Sequence, residues 1–155
     1  IYIFCLVVIS FVVLFACNRN SDPPYLFVDQ DLHGKIVNQS WNFVDGVARE
    51  SSSSNDTVLV GLYNTQLDQE CSYAVSEEGL TFFVPYAEGL YPLSGDWGSP
   101  QSVNFYSGIT NQTAWRGAIE IIRLDTINNI IYGRIDATVD DNTSVNGNFA
   151  VSLCK

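Results

Sequence analysis

The sequence predicts an all-β fold, an antiparallel β-sandwich of about nine to ten short strands. Three observations carry this. The C-terminal third alternates apolar and polar residues with period two in three successive runs. Turn residues, Asn128-Asn129 and Asp140-Asp141-Asn142, stand between those runs. No stretch beyond residue 16 sustains the 3.6-residue repeat of a helix. A closed, lipocalin-like β-barrel is the alternative, because a late up-and-down meander serves both.

Taken in order, Tyr25 to Asp29 reads as a first edge strand, and His33-Gly34 as a turn before Lys35 to Asn38. Ser40 to Val44 alternates, with Trp41 and Phe43 on one face. Asp45-Gly46 reads as a tight turn. Ser51 to Asp56 is a polar loop too short to separate two domains. Thr57 to Tyr63 is a β-rich run whose Gly61 marks a bulge or a close approach. Asn64 to Glu70 suits a loop or one helical turn, and Cys71 to Val75 a short strand. Glu77-Glu78-Gly79 turns into Leu80 to Val84. Glu88 to Leu93 precedes a Gly/Pro/Ser-rich loop, Ser94 to Pro100. Gln101 to Tyr106 puts Val103 and Phe105 on a common face. Ala114 to Leu124 places Trp115, Gly117, Ile119 and Ile121 on one face, with Arg116 and Glu120 opposite. Then Ile131, Gly133, Ile135, Ala137 and Val139 face the core, while Arg134 and Asp136 face out. Val145, Gly147, Phe149, Val151 and Leu153 complete the last strand. Trp41 and Trp115 are expected in the core.

Before this body lies an apolar run, residues 1 to 16, with no charge and one frankly polar side chain, Ser10. About 15 helical residues span roughly 23 Å, short of the roughly 30 Å hydrocarbon core. That length suits a signal-peptide apolar region better than a membrane span. The run ends in Leu14-Phe15-Ala16-Cys17, which resembles the bacterial lipobox. Leu14, Ala16 and Cys17 match its pattern, and Phe15 is bulkier than usual. The resemblance implies a lipid on Cys17, with the basic region of the signal expected before Ile1. The domain plan is then a signal peptide at 1–16, lipidated Cys17 and a Pro23-Pro24 tether through residue 24, and one β domain at 25–155. Two or more acyl chains would hold that domain on a membrane without spanning it. The Gly117 to Ile121, Ile131 to Ala137 and Val145 to Val151 lines, with Gly34-Lys35-Ile36-Val37 and Trp41, resemble small Bacteroidota-type lipoproteins of unknown function. This implies an exported protein of the bacterial cell envelope, lipid-anchored at the outer membrane, and supplies no active site.

Seven basic against seventeen acidic residues give a net charge of −10, which repels phosphate backbones, so nucleic acid is excluded as a partner. The charges are scattered, as on a solvated surface. Of four cysteines, Cys5 lies in the apolar run and Cys17 takes the lipid. Cys71 and Cys154 either form a disulfide in an oxidising compartment, closing a loop of about 80 residues, or stay buried thiols. No Cys/His spacing suggests zinc, and no cofactor is expected.

The one histidine, His33, has no nucleophile motif around it and reads as a solvated turn residue. The carboxylate pairs Glu77-Glu78 and Asp140-Asp141 sit at turns, where neighbours point apart, unlike a glycosidase pair. Asp136, Asp140, Asp141 and Asn142 offer oxygens for calcium but lack the EF-hand spacing, so no metal is expected. Asn-x-Ser/Thr sequons at Asn38, Asn55, Asn111 and Asn142 matter only in a eukaryotic secretory path. Asp56-Thr57-Val58 and Asp125-Thr126-Ile127 resemble the O-glycosylation sequence of Bacteroidota exported proteins. Trp97 stands in a loop between Asp96 and Gly98, where an aromatic can stack on a sugar, anchor a protein or fold back over the core. The expected function is a non-enzymatic binding or assembly module for a glycan or protein partner. A lipocalin-like carrier of an apolar small molecule is the alternative.

Overall fold

The computed structural model describes residues 25–51, 54–69, 71, 78–95, 101–108 and 110–154. The apolar run at 1–16, Cys17 and the expected tether, most of the strand expected at Cys71 to Val75, Glu77 and Trp97 lie outside these residues. The described chain is all-β, as the alternation predicts, with eleven strands and no helix among the described residues. They are β1 (His33–Ile36), β2 (Gln39–Asn42), β3 (Asp45–Ser51), β4 (Ser54–Tyr63), β5 (Gly79–Pro85) and β6 (Gly89–Pro92), then β7 (Val103–Ser107), β8 (Thr110–Ala114), β9 (Arg116–Asp125), β10 (Ile130–Asp140) and β11 (Thr143–Cys154).

All eleven belong to one hydrogen-bonded sheet. Nine lie on a single path, β6-β9-β10-β11-β3-β4-β5-β7-β8, and β1 joins β11 with β2 beside it. The sheet curls so that one face encloses the core. The ends of the path, β6 and β8, form no ladder with each other among the described residues, so the curl stays open. This half-barrel buries its inner face as a sandwich or a barrel does.

The last two strands, β10 and β11, follow the predicted register. Ile131, Gly133, Ile135 and Ala137 of β10 are buried, and so are Val145, Gly147, Phe149, Val151 and Leu153 of β11. Gly133 pairs with Phe149 and Ile135 with Gly147, and a glycine opposite a larger side chain leaves room for it. Register shifts at Tyr132/Gly133 and Thr138/Asp140 mark bulges, which sharpen the local twist and help the sheet curl. Trp41, Phe82 and Phe105 fill the interior, each 1% exposed. Burying such a side chain stabilises by roughly 1.5–3 kcal/mol.

β11 also pairs in parallel with β3 through Ser152, Leu153 and Cys154. Beside that junction Cys154 is bonded to Cys71, with Cα atoms 5.7 Å apart. The disulfide reading therefore holds. The bond covers a small second cluster of Val47, Tyr63 and Cys154 and closes a separation of 83 residues, worth about 4.5 kcal/mol by loop entropy.

Several expectations need correction. His33-Gly34 is not a turn but the start of β1, and the turn falls at Val37-Asn38, both with positive φ. Asp45-Gly46 opens β3 instead of turning, because Gly46 lets the Gly61 carbonyl of β4 come close; a Cβ there would lie 2.6 Å from that oxygen. The Asp45 carboxylate instead accepts the Leu67 and Gly46 amides and pins the following loop. Ala114 to Leu124 is two strands. The chain breaks at Trp115, because β8 pairs with β7 while β9 pairs with β10 and β6. Trp115 is 46% exposed, not core. The inside-outside pattern resets there, with Ala114, Gly117 and Ala118 all buried.

Tyr25 to Asp29 forms no strand ladder. It is a strap across the outer face of β10 and β11. The Leu26 amide donates to Asp136 at 2.8 Å, the Val28 amide donates to the Asn146 side chain at 2.9 Å, and Asn146 donates back to the Leu26 carbonyl at 2.7 Å. Arg134 covers the Phe27 ring at 4.4 Å and pairs with Glu120. Each exposed bond of this kind contributes net about 1 kcal/mol, while ordering one residue's backbone costs about 1–2 kcal/mol. The strap is thus held with little to spare.

Gly117 tests the packing of β9 on β10. Its φ is +119°, and an added Cβ would fall 1.9 Å from the Asp136 carbonyl oxygen. Gly117→Ala is expected to cost about 3 kcal/mol or more, lowering the melting temperature by roughly 10 °C. Gly108→Ala is the control: φ is also positive but nothing lies within 4 Å, so it should cost only about 1–2 kcal/mol. Thermal melts of the two variants check this.

Candidate functional site

The open curl has a consequence at its seam. β7 pairs with β5 only over Gly79 to Phe82, so Phe83 to Pro85 run past the end of that ladder. β6 pairs only with β9 among the described residues. Between these two edges lies a groove of about 420 Å³, bordered by Phe83, Pro85, Leu90, Tyr91, Pro92 and Gln101.

Strand alternation decides what each residue presents. Val84 and Tyr91 turn inward and form the floor, Val84 in the core and Tyr91 packed against it. Phe83 and Pro85 from β5, and Leu90 and Pro92 from β6, turn outward and form the rims. Phe83 is 52% exposed and Leu90 44%, so the rims are apolar and open to solvent. Gln101 donates its side-chain amide to the Phe83 carbonyl, satisfying a backbone acceptor that no strand reaches. The Tyr91 hydroxyl donates to the Ala87 carbonyl at 2.8 Å, and burial raises its pKa above the ordinary tyrosine value. It is a neutral phenol held in place.

The edges are blunted for pairing. Pro85 and Pro92 carry no N–H and cannot extend a ladder. An added peptide strand would find no donor at either position, while a flat ligand could lie against the Phe83 ring.

Two polar hollows lie on the outer face, one of about 270 Å³ beside His33, Ser144 and Asn146, the other of about 170 Å³ beside Arg116 and Gly117. Asp136 and Thr138 border both. Burial raises the Asp136 pKa above the usual carboxylate value, against the lowering effect of its bonds to the Leu26 amide and Asn146. His33 lies on a strand, exposed, with Nδ1 against the Asp31 carbonyl oxygen at 2.7 Å. No hydrogen bond joins it to Ser144 or Asp136 among the described residues.

The other sequence candidates are dispersed. Asp140 accepts the Asn142 amide at 2.8 Å in its own turn, while Asp136 faces the strap, so the four oxygens considered for calcium do not converge. No group of three or more His, Cys, Asp or Glu residues suited to a metal occurs among the described residues. Glu78 accepts from Ser107 and Asn64 and gives its carbonyl to the Trp41 indole at 3.4 Å, a structural use. Thr126 is exposed in the β9–β10 turn and Thr57 half-buried in β4. Trp97 falls outside the described residues, but Ser94 and Gln101 on either side of it bond to each other's backbone at 2.9 and 3.1 Å. Of these two described residues, Gln101 borders the groove.

The sequence reading missed Phe83, Leu90, Tyr91 and the two prolines as a site. The available signal was proline ending two short β runs, which marks edges. What brings those edges together is long-range pairing, which local pattern does not encode. No protein-family model, no curated protein and no solved structure matches the chain.

The raised pKa of Asp136 predicts a pH dependence. The folded state holds that proton more tightly than the unfolded chain, so this group favours folding at low pH, and the advantage is lost as pH rises through its folded pKa. Asp136→Asn keeps an acceptor for the Leu26 amide without a charge. The variant should be at least as stable as wild type at pH 7, and its advantage should shrink toward pH 4, read from urea melts across that range.

Proposed function

We propose that this chain is an exported, lipid-anchored binding module that holds a glycan in the seam groove. The anchor rests on Leu14, Ala16 and Cys17 at the end of a short apolar run. No helix among the described residues is long and apolar enough to cross a membrane. The observation that carries the binding reading is the groove itself: an exposed phenylalanine over a tyrosine floor, between two proline-blunted edges. A sugar ring offers an apolar C–H face to such a surface and hydroxyls to Gln101 and Thr57 at its margin. A protein partner would more readily use a strand edge, and the prolines remove the donors it would need. Among the described residues no charged side chain lines the groove, which suits a neutral ligand for a chain of net charge −10.

The carrier reading draws on the same apolar rims, Phe83 and Leu90. It calls for an interior hollow, whereas Trp41, Phe82 and Phe105 occupy the inside and the groove opens at the surface.

A glycan array with the full-length protein in detergent, followed by titration of any hit, tests the proposal. Phe83→Ala should weaken the hit at least tenfold, about 1.4 kcal/mol, while Phe83→Tyr retains it. Ile127→Ala, at an exposed turn residue that does not line the groove, should leave it unchanged. No glycan bound, or equal binding by Phe83→Ala, would overturn the site. Cys17→Ala should move the protein from the membrane to the soluble fraction in a bacterial host.

A further inference from the structure

We infer that Tyr25 to Asp29 is a detachable strap, which docks on and leaves the outer face of β10 and β11 while the sheet stays folded. The argument is an abrupt change in how the chain is held. From Gln30 onward it is fixed by backbone bonds: Asn148 donates to the Gln30 carbonyl at 2.8 Å, and the Leu32 amide donates to the Asn148 carbonyl at 3.0 Å. Leu32 is buried in the core. Gly147 permits that crossing, since a Cβ there would lie 2.7–2.8 Å from Leu32, Asp31 and Gln30. Over Tyr25 to Asp29, the described residues before Gln30, the sheet grips the chain through side chains alone. Asp136 and Asn146 take the Leu26 and Val28 main chain, Asn148 reaches Asp29, and Arg134 covers Phe27.

These contacts read main-chain atoms of an extended segment. The side chains of Leu26 and Val28 point into solvent, 77% and 41% exposed, so they add little buried apolar area. Neighbouring charged groups are Arg134, paired with Glu120, and His33, which borders the hollow beside Asp136. Gln30, bonded by backbone on one side of the change and preceded by side-chain contacts on the other, is the pivot.

The strap joins the body to the segment leading back to Cys17. On the lipid-anchor reading proposed above, undocking adds five residues to the tether, roughly 17 Å when extended. The body would then have two reaches from the membrane, set by a handful of side-chain hydrogen bonds.

Hydrogen exchange on the full chain in detergent tests the strap whether or not Cys17 is acylated. The Leu26 and Val28 amides should exchange at least 100-fold faster than the β10–β11 ladder amides, yet slower than in an unstructured peptide. Asn146→Ala should bring both to the unstructured rate and leave the ladder unchanged. Exchange of Leu26 and Val28 at the ladder rate would show that strap and sheet open only together, and overturn the inference. So would unprotected amides in wild type, or protection unaffected by Asn146→Ala. If that variant misfolds, the wild-type comparison decides alone.

Discussion

The structure depends on β11. This strand is hydrogen-bonded to β10 along nearly its whole length, to β1 near its start and to β3 at its end. Its inward residues, from Val145 to Leu153, supply one wall of the core, and Cys154 ties its end to Cys71. Its outward residues Asn146 and Asn148 hold the strap. One twelve-residue strand thus sets the register of three neighbours, and a one-residue slip would turn its whole apolar set outward.

The position of the groove follows from that arrangement. β11 lies inside the path, so the sheet curls away from it on both sides and its free edges fall elsewhere, at β6 and β8. Unpaired edges invite association with other chains. Beside the groove, Pro92 on β6, Pro85 on β5 past the end of its ladder with β7, and the Gln101 amide on the Phe83 carbonyl discourage such pairing. The same devices that discourage strand addition leave a trough with apolar rims, uncharged among the described residues, on a strongly acidic protein. The proposed glycan site is therefore a by-product of an incomplete barrel and not a cavity inside one.

How legible this was in the sequence differs from part to part. The C-terminal meander was readable because each strand pairs with the next, so alternation, turn and register are all local. The end of the core was harder. Trp115 shares the spacing of Gly117 and Ile119, but the chain changes partners beside it, and only the pairing of β8 with β7 shows this. Gly46 looked like a turn residue because glycine serves both turns and close strand approaches, and sequence does not separate the two. Tyr25 to Asp29 had the composition of a strand but meets side chains where a ladder would need backbone. The groove was the least legible feature. Its rims are 83–85 and 90–92, held close by the short link between β5 and β6, but the two strands pair in different regions of the sheet, and that pairing, not local pattern, opens a trough between them.

The most direct test is cross-strand amide and Hα contacts from the nuclear Overhauser effect in isotope-labelled protein. An open sheet hung on β11 predicts parallel-type contacts between Ser152-Leu153 and Val47-Ala48, antiparallel contacts from Val145 to Gly34, and none between β6 and β8. Contacts joining β6 to β8 would mean a closed barrel with no seam, and an antiparallel partner for the end of β11 would contradict the arrangement from which the groove follows.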